Sequence, residues 1–244
     1  MKAAPQIIGH RGAKAYAPEN TLASIHTAAD LGIEWVEVDV KLTADNIPVL
    51  FHDETLERTT NGSGKMAETS YAELQNLSAG SWFSESFADE AVPTLEQAIE
   101  ACIERGLGLN LEIKPCPGRE VETAEVALDT LSRYWDDHDR LLISSFSQAS
   151  LETAQHMVPD WSRGHLTDAI DGQTIELARH VGAKTINING NHPDLTQDSI
   201  ETLIDAGFPV LAFTINDPDH ARRLIAMGVD GVFSDNPDQI LLKH

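Results

Sequence analysis

Apolar residues occur along the chain in short runs that are separated by segments with helical periodicity. Nine runs predict β-strands, and most intervals between them carry the three- and four-residue spacing of an amphipathic helix. The predicted strands occupy residues 6–10, 34–40, 48–53, 108–114, 140–146, 162–166, 184–188, 209–216 and 231–235. The predicted helices occupy residues 21–31, 94–105, 119–135, 148–157, 172–181, 196–206 and 217–227.

This alternation of strands and helices indicates parallel strands that are connected by helical crossovers. An open doubly wound sheet is one candidate, but it usually has fewer strands and often a glycine-rich loop after the first strand. No such loop is present here, so we favour an α/β fold of the (β/α)8 TIM-barrel type. No Pro/Ser-rich linker divides the 244 residues. We therefore expect a single domain over residues 1–244.

Nine strands are one too many for such a barrel, and the surplus has a local explanation. Only a few residues separate the second and third predicted strands, whereas a parallel crossover needs about a dozen. We therefore predict a hairpin that turns at Asp45-Asn46, which are residues favoured in turns. A two-residue turn there would place Asp39 opposite His52. The following segment, roughly residues 54–93, is predicted to be a small insertion that caps the barrel mouth.

The composition narrows the classes of partner and the compartment. The formal net charge of -22 argues against binding to nucleic acid or to an anionic membrane surface. No apolar run approaches the roughly 20 residues that span a bilayer, and the N-terminal stretch lacks the pattern of a signal peptide. Cys102 and Cys116 provide no disulfide framework. We expect a cytoplasmic protein without stable membrane association, and the sequence leaves the oligomeric state open.

Acidic residues alternate with apolar ones in two of the predicted strands. In "WVEVDV" (35–40), the valines share one face, and Glu37 and Asp39 share the other. Both faces are covered in a parallel barrel, so inward carboxylates would repel each other and lose their hydration. Glu112 in "LNLEIKP" (109–115) supplies a third inward carboxylate by the same rule. Three carboxylates without a thiolate or histidine predict one hard divalent cation, Mg²⁺ or Ca²⁺.

Two histidines and two cations are predicted at the same end of the barrel. His10 and His52 each follow an apolar strand, at the end where barrel enzymes place their sites. Such a pair can divide proton transfer, one ring accepting a proton and the other donating one. Arg11 can hold phosphate oxygens with parallel donors, and Lys114 lies two residues beyond Glu112. With the acids and one divalent cation they leave about one positive charge, which suits a phosphodiester.

Seven short motifs together resemble one family over nearly the whole chain. They are "HRG" (10–12), "PENT" (18–21), "EVDV" (37–40), "PVLFHDETLERTT" (48–60), "LEIKP" (111–115), "AFTIND" (212–217) and "GVDGVFSDNP" (228–237). The chain thereby resembles the glycerophosphodiester phosphodiesterases, in particular their bacterial cytosolic branch. The resemblance implies a barrel of the phospholipase-C-like type. It also implies hydrolysis of small glycerophosphodiesters to sn-glycerol 3-phosphate and an alcohol, dependent on Mg²⁺ or Ca²⁺.

The resemblance also implies roles for individual residues. By position, His10 and His52 match the acid–base pair of the family. The metal ligands correspond to Glu37, Asp39 and Glu112, and the phosphate-contacting cations correspond to Arg11 and Lys114. Glu19 in "PENT" is expected to orient Arg11 or a metal ligand, while Asn20 or Thr21 caps the first helix. Phe213 stands where relatives commonly carry tryptophan. It keeps an aromatic wall for the substrate but lacks the indole N–H.

Several alternatives remain open at this stage. The glycerol 2-hydroxyl could attack phosphorus to give a cyclic phosphate, or water could attack directly. Lysophospholipase D activity would require an exposed apolar lip near residues 71–92, where Trp82, Phe83 and Phe87 occur. A metal-assisted lyase also uses acids on barrel strands but gives no reason for the His10-Arg11 pair. A barrel that only binds phosphate would be indicated by a missing histidine or acid, and none is missing.

Overall fold

The fold alternates strands and helices as the apolar pattern predicts. The structure, a computed structural model, describes residues 4–240, so the predicted domain extends beyond the described residues at both ends. The strands are β1 (Ile7–Gly9), β2 (Trp35–Leu42), β3 (Pro48–Leu50), β4 (Gly108–Ile113), β5 (Leu141–Ser145), β6 (Arg163–Thr167), β7 (Thr185–Asn189), β8 (Val210–Phe213) and β9 (Gly231–Ser234).

Helices separate most of the strands. They are α1 (Leu22–Asp30), α2 (Tyr71–Leu74), α3 (Leu95–Arg105), α4 (Glu120–Tyr134), α5 (Gln148–Met157), α6 (Thr174–His180), α7 (Gln197–Asp205), α8 (Pro218–Ala226) and α9 (Pro237–Ile240). The seven predicted helices are all present, and their ends lie within two residues of the predicted ones. Within residues 4–240, no helix has both the length and the apolar character needed to cross a membrane.

The sheet closes into a barrel. Eight of the nine strands pair in parallel, and β1 pairs with β2 on one side and with β9 on the other. At these two seams Gly9 lies opposite Val36, and Ile7 lies opposite Val232. The predicted (β/α)8 barrel is therefore confirmed. The carboxyl ends of the strands meet at one rim, which is where barrel folds carry functional residues.

The alternation in β2 separates the two faces as predicted. Val36 and Val38 are buried in the apolar layer between the strands and the surrounding helices. Trp35 points the other way, into a cluster inside the barrel that includes Phe233. Gly108 on β4 leaves room for this indole, because a Cβ at that position would lie 2.4 Å from the ring. Trp35 thus fills the interior below the acidic residues that follow it along β2.

The hairpin between β2 and β3 forms, but its predicted register is wrong by one residue. Asp39 lies opposite Phe51, whose backbone N–H donates to the Asp39 carbonyl over 3.0 Å, and not opposite His52. The loop contains three residues, 44–46, instead of the two-residue turn that the prediction assumed. Asn46 adopts a left-handed conformation with φ 63°, which is typical of the last position in a three-residue hairpin loop.

The inserted segment between β3 and α3 has an apolar cluster of its own. Leu56, Met66 and Leu74 are buried there beside Phe51 and Cys116 of the flanking chain. Both cysteines of the chain are buried and free. The rings of Trp82, Phe83 and Phe87 form two edge-to-face contacts with centroid distances of 5.6 Å. The insertion is thus held by its own packing against the outside of the hairpin.

Candidate active site

The predicted site residues converge on one cavity of about 410 Å³ at the carboxyl rim of the barrel. The wall of the cavity contains His10, Arg11, Glu37, His52, Glu112, Lys114 and Phe213. Asp39 and Glu19 are buried directly behind this wall, where they contact its members. The structure therefore brings together all the residues that the sequence indicated.

The acidic residues of β2 and β4 form a compact cluster. Glu37, Asp39 and Glu112 each offer one carboxylate oxygen, and these oxygens lie within 4.8 Å of one another. Parallel pairing sets Asp39 directly opposite Glu112. Asn20 holds Asp39 by two bonds, donating from Nδ2 to Oδ2 over 2.8 Å and accepting the Asp39 N–H at 3.1 Å. The backbone N–H of Arg11 donates to Glu37 Oε2 over 2.9 Å.

The electrostatics of this cluster fit a divalent cation. Glu37 Oε1 is buried and has no hydrogen-bond partner among the described residues. Burial and the two neighbouring carboxylates raise the pKa of Glu37 well above its usual value. Burial and Asp39 raise the pKa of Glu112 to about 7. An oxygen-binding cation would satisfy the unpartnered oxygen and relieve the repulsion, so the acidic cluster can hold a metal ion.

His10 is largely shielded from solvent and is bound to a carboxylate from the other end of the chain. Its Nδ1 lies 2.6 Å from Oδ1 of Asp235, the residue that directly follows β9. Asn216 fixes Asp235 by donating to Oδ2 over 2.9 Å and accepting the Asp235 N–H at 2.8 Å. Burial lowers the pKa of His10, although the bond to Asp235 opposes this shift. Because Nδ1 is engaged, Nε2 remains available, 4.0 Å from Glu37 Oε2.

His52 has the same arrangement with different support. Its Nδ1 lies 2.6 Å from Oδ1 of Asp53, the next residue. Arg58 from the insertion binds this carboxylate twice, with Nε at 2.6 Å from Oδ2 and Nη2 at 2.8 Å from Oδ1. These bonds from Arg58 lower the pKa of Asp53 although burial opposes the shift. Burial lowers the pKa of His52, against the charge of Asp39. An Nδ1–H bound to carboxylate leaves the Nε2 lone pair free in each neutral ring.

Glu19 forms ion pairs with three cationic side chains behind the cavity. Arg11 donates to it over 2.6 Å, and Arg58 donates to both of its oxygens over 2.7 and 2.8 Å. Lys14 Nζ lies 3.7 Å away. Although burial opposes ionisation, the bond from Arg58 and the charge of Arg11 lower the pKa of Glu19 to about 2. The Arg11 guanidinium is thereby fixed next to Asp39, with Nε at 3.3 Å from Oδ2.

The backbone at Arg11 has an unusual conformation. Arg11 has φ 53° and the next residue, Gly12, has φ 84°. A side chain at Gly12 would also collide with Ser24 of α1, since a Cβ there would lie 2.4 Å from the hydroxyl. Left-handed conformations of non-glycine residues are uncommon and occur often at functional sites. This turn directs the Arg11 N–H at Glu37 while its side chain reaches Glu19.

Lys114 and the aromatic residues border the other side of the cavity. Lys114 Nζ donates to Glu112 Oε1 over 2.9 Å and lies 5.4 Å from the ring centre of Phe146. The rings of Phe146 and Phe213 meet edge to face at 5.7 Å. Buried Lys41 donates to the Lys114 carbonyl over 2.9 Å. The cavity thus has a charged side on β1, β2 and β4 and a largely apolar side on the strands opposite.

A wider groove of about 740 Å³ adjoins the cavity. The two spaces share His52, Glu112, Lys114 and Phe146. The insertion borders the groove through residues 54–55, and none of its residues lines the 410 Å³ cavity. The groove therefore forms an open continuation of the cavity on the side of His52.

Sequence reasoning missed the residues that support the two histidines. Asp53 follows His52 directly, and Asp235 follows the last barrel strand, so a search for carboxylates at strand ends could have found both. Arg58 gives no comparable signal, because its position depends on the folding of the insertion. The helix cap that the sequence left open is Thr21, whose hydroxyl accepts the Ser24 N–H. Asn20 is thereby free to hold Asp39.

Comparison with known proteins assigns the family. Residues 10–239 match the model of the glycerophosphoryl diester phosphodiesterase family. The structure of an Oleispira antarctica phosphodiesterase in complex with the product sn-glycerol-3-phosphate is similar, with a TM-score of 0.93 and 44% identity over 97% of this chain and 95% of that one. A glycerophosphodiester phosphodiesterase from Caldanaerobacter subterraneus is 32% identical over 96% of each chain.

A further solved structure agrees with this assignment. A glycerophosphodiester phosphodiesterase from Agrobacterium tumefaciens is similar with a TM-score of 0.78 and 28% identity, over 97% of this chain and 99% of that one. The similarity thus covers the barrel, the insertion and all the elements that carry the cavity. The chain belongs to the glycerophosphoryl diester phosphodiesterase family.

Proposed function

We propose that this protein hydrolyses glycerophosphodiesters to sn-glycerol 3-phosphate and an alcohol, within one catalytic domain. The observation that carries the proposal is that a carboxylate cluster and two histidines lie at the same cavity. Three carboxylate oxygens lie within 4.8 Å of one another, beside two histidines whose Nδ1 atoms bind carboxylates. Membership of the family and the product complex of the Oleispira antarctica relative support the same reaction.

The acidic cluster would hold one divalent cation, Mg²⁺ or Ca²⁺. Glu37, Asp39 and Glu112 provide oxygen ligands alone, which suits a hard cation. When bound, such a cation supplies a positive charge that polarises the phosphate and hydroxyl oxygens of the substrate. Asn20 keeps the Asp39 carboxylate in place, and the Arg11 N–H does the same for Glu37.

Arg11 and Lys114 would bind the phosphate. Glu19 holds one end of the Arg11 guanidinium over 2.6 Å, which fixes the donors that face the cavity. Lys114 is held by Glu112 and lies at the junction of the cavity and the groove. The charges of a bound divalent cation, Arg11 and Lys114 together slightly exceed those of the three clustered carboxylates. This small positive excess favours a singly charged phosphodiester over a dianion.

Proton transfer would be divided between the two histidines. One ring accepts the proton of the glycerol 2-hydroxyl at Nε2, and that oxygen attacks phosphorus. The bond from phosphorus to the alcohol oxygen breaks, and the other ring, protonated, donates its Nε2 proton to the departing oxygen. Water then opens the cyclic phosphate while the rings exchange roles. Asp53 and Asp235 hold both rings in the tautomer that this exchange requires.

The test uses purified protein with glycerophosphocholine and coupled detection of sn-glycerol 3-phosphate. Activity should disappear with a chelator and return with Mg²⁺ or Ca²⁺. His10→Ala and His52→Ala should each lower kcat by about 10³-fold, as expected when a general acid or base is lost. His156→Ala, an exposed histidine of α5, is the matched control. Absence of chelator-sensitive product, or full activity in both variants, would refute the proposal.

Lysophospholipids are the second class of substrate to compare. Trp82 is 37% exposed in the insertion, as an apolar lip for an acyl chain would require. It lines neither the cavity nor the groove, however. We therefore propose glycerophosphodiesters as the preferred substrates, and lysophosphatidylcholine should be cleaved more slowly than glycerophosphocholine in the same assay. Analogues without the 2-hydroxyl separate the cyclic route, which needs that oxygen, from direct attack by water.

A further inference from the structure

Lys41 is a buried lysine next to Lys114, one of the two cations that we assign to the phosphate. It lies on β2, where strand alternation puts Glu37, Asp39 and Lys41 on one face. The residue is only 1% exposed, and its Nζ donates to the carbonyl of Lys114 over 2.9 Å. Within residues 4–240, Nζ has no other hydrogen bond and no ion pair. This buried ammonium therefore has a backbone carbonyl as its one partner in the described chain.

The position of this ammonium is unfavourable for the stability of the fold. A buried ammonium loses its hydration, and no carboxylate of the described residues pairs with Lys41 to compensate. Val40 pairs with Ile113, so Lys41 and Lys114 occupy the next positions on two neighbouring strands, where like charges repel. A neutral amide side chain could hold a carbonyl without these two costs. Residues that break the rules of stability are expected where function requires them.

The backbone at Lys114 is held by side chains. Lys114 follows the last residue of β4 and precedes Pro115, which has no N–H to donate and favours extended backbone at Lys114. Ser145 of β5 donates from its hydroxyl to the carbonyl of Ile113 over 2.6 Å. Lys41 of β2 donates to the carbonyl of Lys114 itself. Side chains from the two adjacent strands thus fix the peptide groups on both sides of Lys114.

Lys41 can influence the site only through its neighbour. It lines the 740 Å³ groove but not the 410 Å³ cavity, and its burial leaves almost no surface for a ligand to contact. Lys114 lines both spaces. Arg11 is supported in a comparable way, by the buried carboxylate of Glu19. Each of the two cations that we assign to the phosphate is therefore bound by a buried charged residue.

We propose that Lys41 is a positioning residue that fixes Lys114 for contact with the phosphate of the substrate. This inference rests on the proposed function, because it explains how one of the phosphate contacts is held. The bond from Lys41 anchors the segment directly after β4, from which the Lys114 side chain extends into the site. Without this bond the segment loses its anchor on β2, and Lys114 Nζ no longer meets the phosphate at a fixed distance.

The experiment is a double-mutant cycle between Lys41 and Lys114 with glycerophosphocholine as substrate. Lys41→Met replaces the ammonium by an apolar group and should lower kcat/KM by about 10- to 100-fold, as expected when a contact at the site is displaced by about 1 Å. Lys114→Met should lower kcat/KM at least as much. In the Lys114→Met background, Lys41→Met should change kcat/KM by less than about twofold, because the contact that it positions is already lost.

A control, a second variant and a second measurement complete the design. Lys184→Met is the matched control, because Lys184 is exposed directly before β7 and should leave kcat/KM unchanged. Lys41→Gln keeps an N–H donor, so it should lose less activity than Lys41→Met, and it keeps the test decisive if the methionine variant does not fold. Calorimetry measures binding of sn-glycerol 3-phosphate without turnover. Lys41→Met should weaken this binding by about 10-fold, but by less than about twofold when Lys114 is already replaced.

Three results would overturn the assignment. Equal losses with and without Lys114 would mean that Lys41 acts on the site independently of it, and no loss would mean that the carbonyl bond is not needed. A larger loss in Lys41→Gln than in Lys41→Met would mean that the bond is not what matters. Failure of the proposed function is distinct, because the unaltered protein would then form no sn-glycerol 3-phosphate. A protein that forms this product but shows equal losses in both backgrounds refutes only the role of Lys41.

Discussion

The two histidines of the site reach the same geometry from different parts of the molecule. Each places Nδ1 at 2.6 Å from a carboxylate and keeps Nε2 free. His10 follows β1, and its partner Asp235 follows β9, so this pair depends on the seam where the barrel closes. His52 follows β3, outside the barrel, and its neighbour Asp53 is held by Arg58 of the insertion. The His10 side chain is 14% exposed and that of His52 is 27% exposed.

The difference lies in how each carboxylate is held. Asp235 is fixed by the neutral amide of Asn216, which donates to its carboxylate and accepts its backbone N–H, whereas Asp53 is fixed by the charged Arg58. Bonds between neutral groups and a carboxylate change little with salt, while the ion pairs of a half-exposed guanidinium are screened by it. The barrel therefore supplies a support for His10 made of neutral donors and acceptors, and the insertion supplies a charged support for His52. Glu19 connects the two through its bonds to the arginines.

The largest effect should follow from removing the charge of Glu19. Glu19→Gln keeps the shape of the side chain but removes the carboxylate that Arg11, Arg58 and Lys14 share. Because removing one partner of a largely buried ion pair is costly, we expect the free energy of unfolding to fall by about 3 kcal/mol. Urea denaturation of the variant measures this loss. Glu68→Gln, which removes an exposed ion pair with Lys65, should cause little change and serves as the control.

The same carboxylate predicts a pH dependence. Its pKa is about 2 in the folded protein against an ordinary value of 4.5. Protonation therefore favours the unfolded chain, so the stabilisation is complete above pH 4.5 and is lost as the pH falls from 4.5 to 2. The unaltered protein should lose stability more steeply in this window than Glu19→Gln. Equal pH dependence of stability in the two proteins would mean that Glu19 does not stabilise the fold through its charge.

The next effect separates the two histidine supports directly. Asp235→Ala removes the partner of the less exposed ring, whereas the more exposed His52 can hydrate its Nδ1 after Asp53→Ala. Loss of such an orienting carboxylate typically costs 10- to 100-fold, so we expect about 100-fold in kcat for Asp235→Ala and about 10-fold for Asp53→Ala. Steady-state kinetics with glycerophosphocholine measure both. Equal losses would show that burial does not distinguish the two supports.

The barrel and the residues on its strands were predictable because they follow local rules. Period-two alternation places Glu37 and Asp39 on the inner face of β2, and the same rule places Glu112 on β4. The carboxyl ends of parallel strands meet at one rim, so His10 could be assigned to the same site. None of these inferences requires knowledge of loop conformation.

The remaining features depend on loops and on contacts between distant segments. The hairpin register shifted by one residue because Asn46 adopts a left-handed conformation, which the residue types alone did not determine. Asp235 meets His10 only through closure of the sheet, 225 positions along the chain. Arg58 reaches Asp53 and Glu19 through the fold of the insertion. Local sequence patterns do not predict such contacts between distant residues, because the contacts arise from tertiary packing.

The smallest effect is expected for Arg58, and it tests how the insertion supports His52. Arg58→Ala leaves Asp53 bound to His52, and Glu19 keeps Arg11 and Lys14 nearby. The Arg58 side chain is 43% exposed, so its ion pairs are partly screened by solvent. We expect a loss of about threefold in kcat at low salt, which should shrink further at high salt as screening weakens the pairs in the unaltered protein. Arg133→Ala, which removes a surface pair with Asp129 on α4, is the control. A loss as large as that of Asp53→Ala would instead mean that the guanidinium, and not the carboxylate, sets the position of His52.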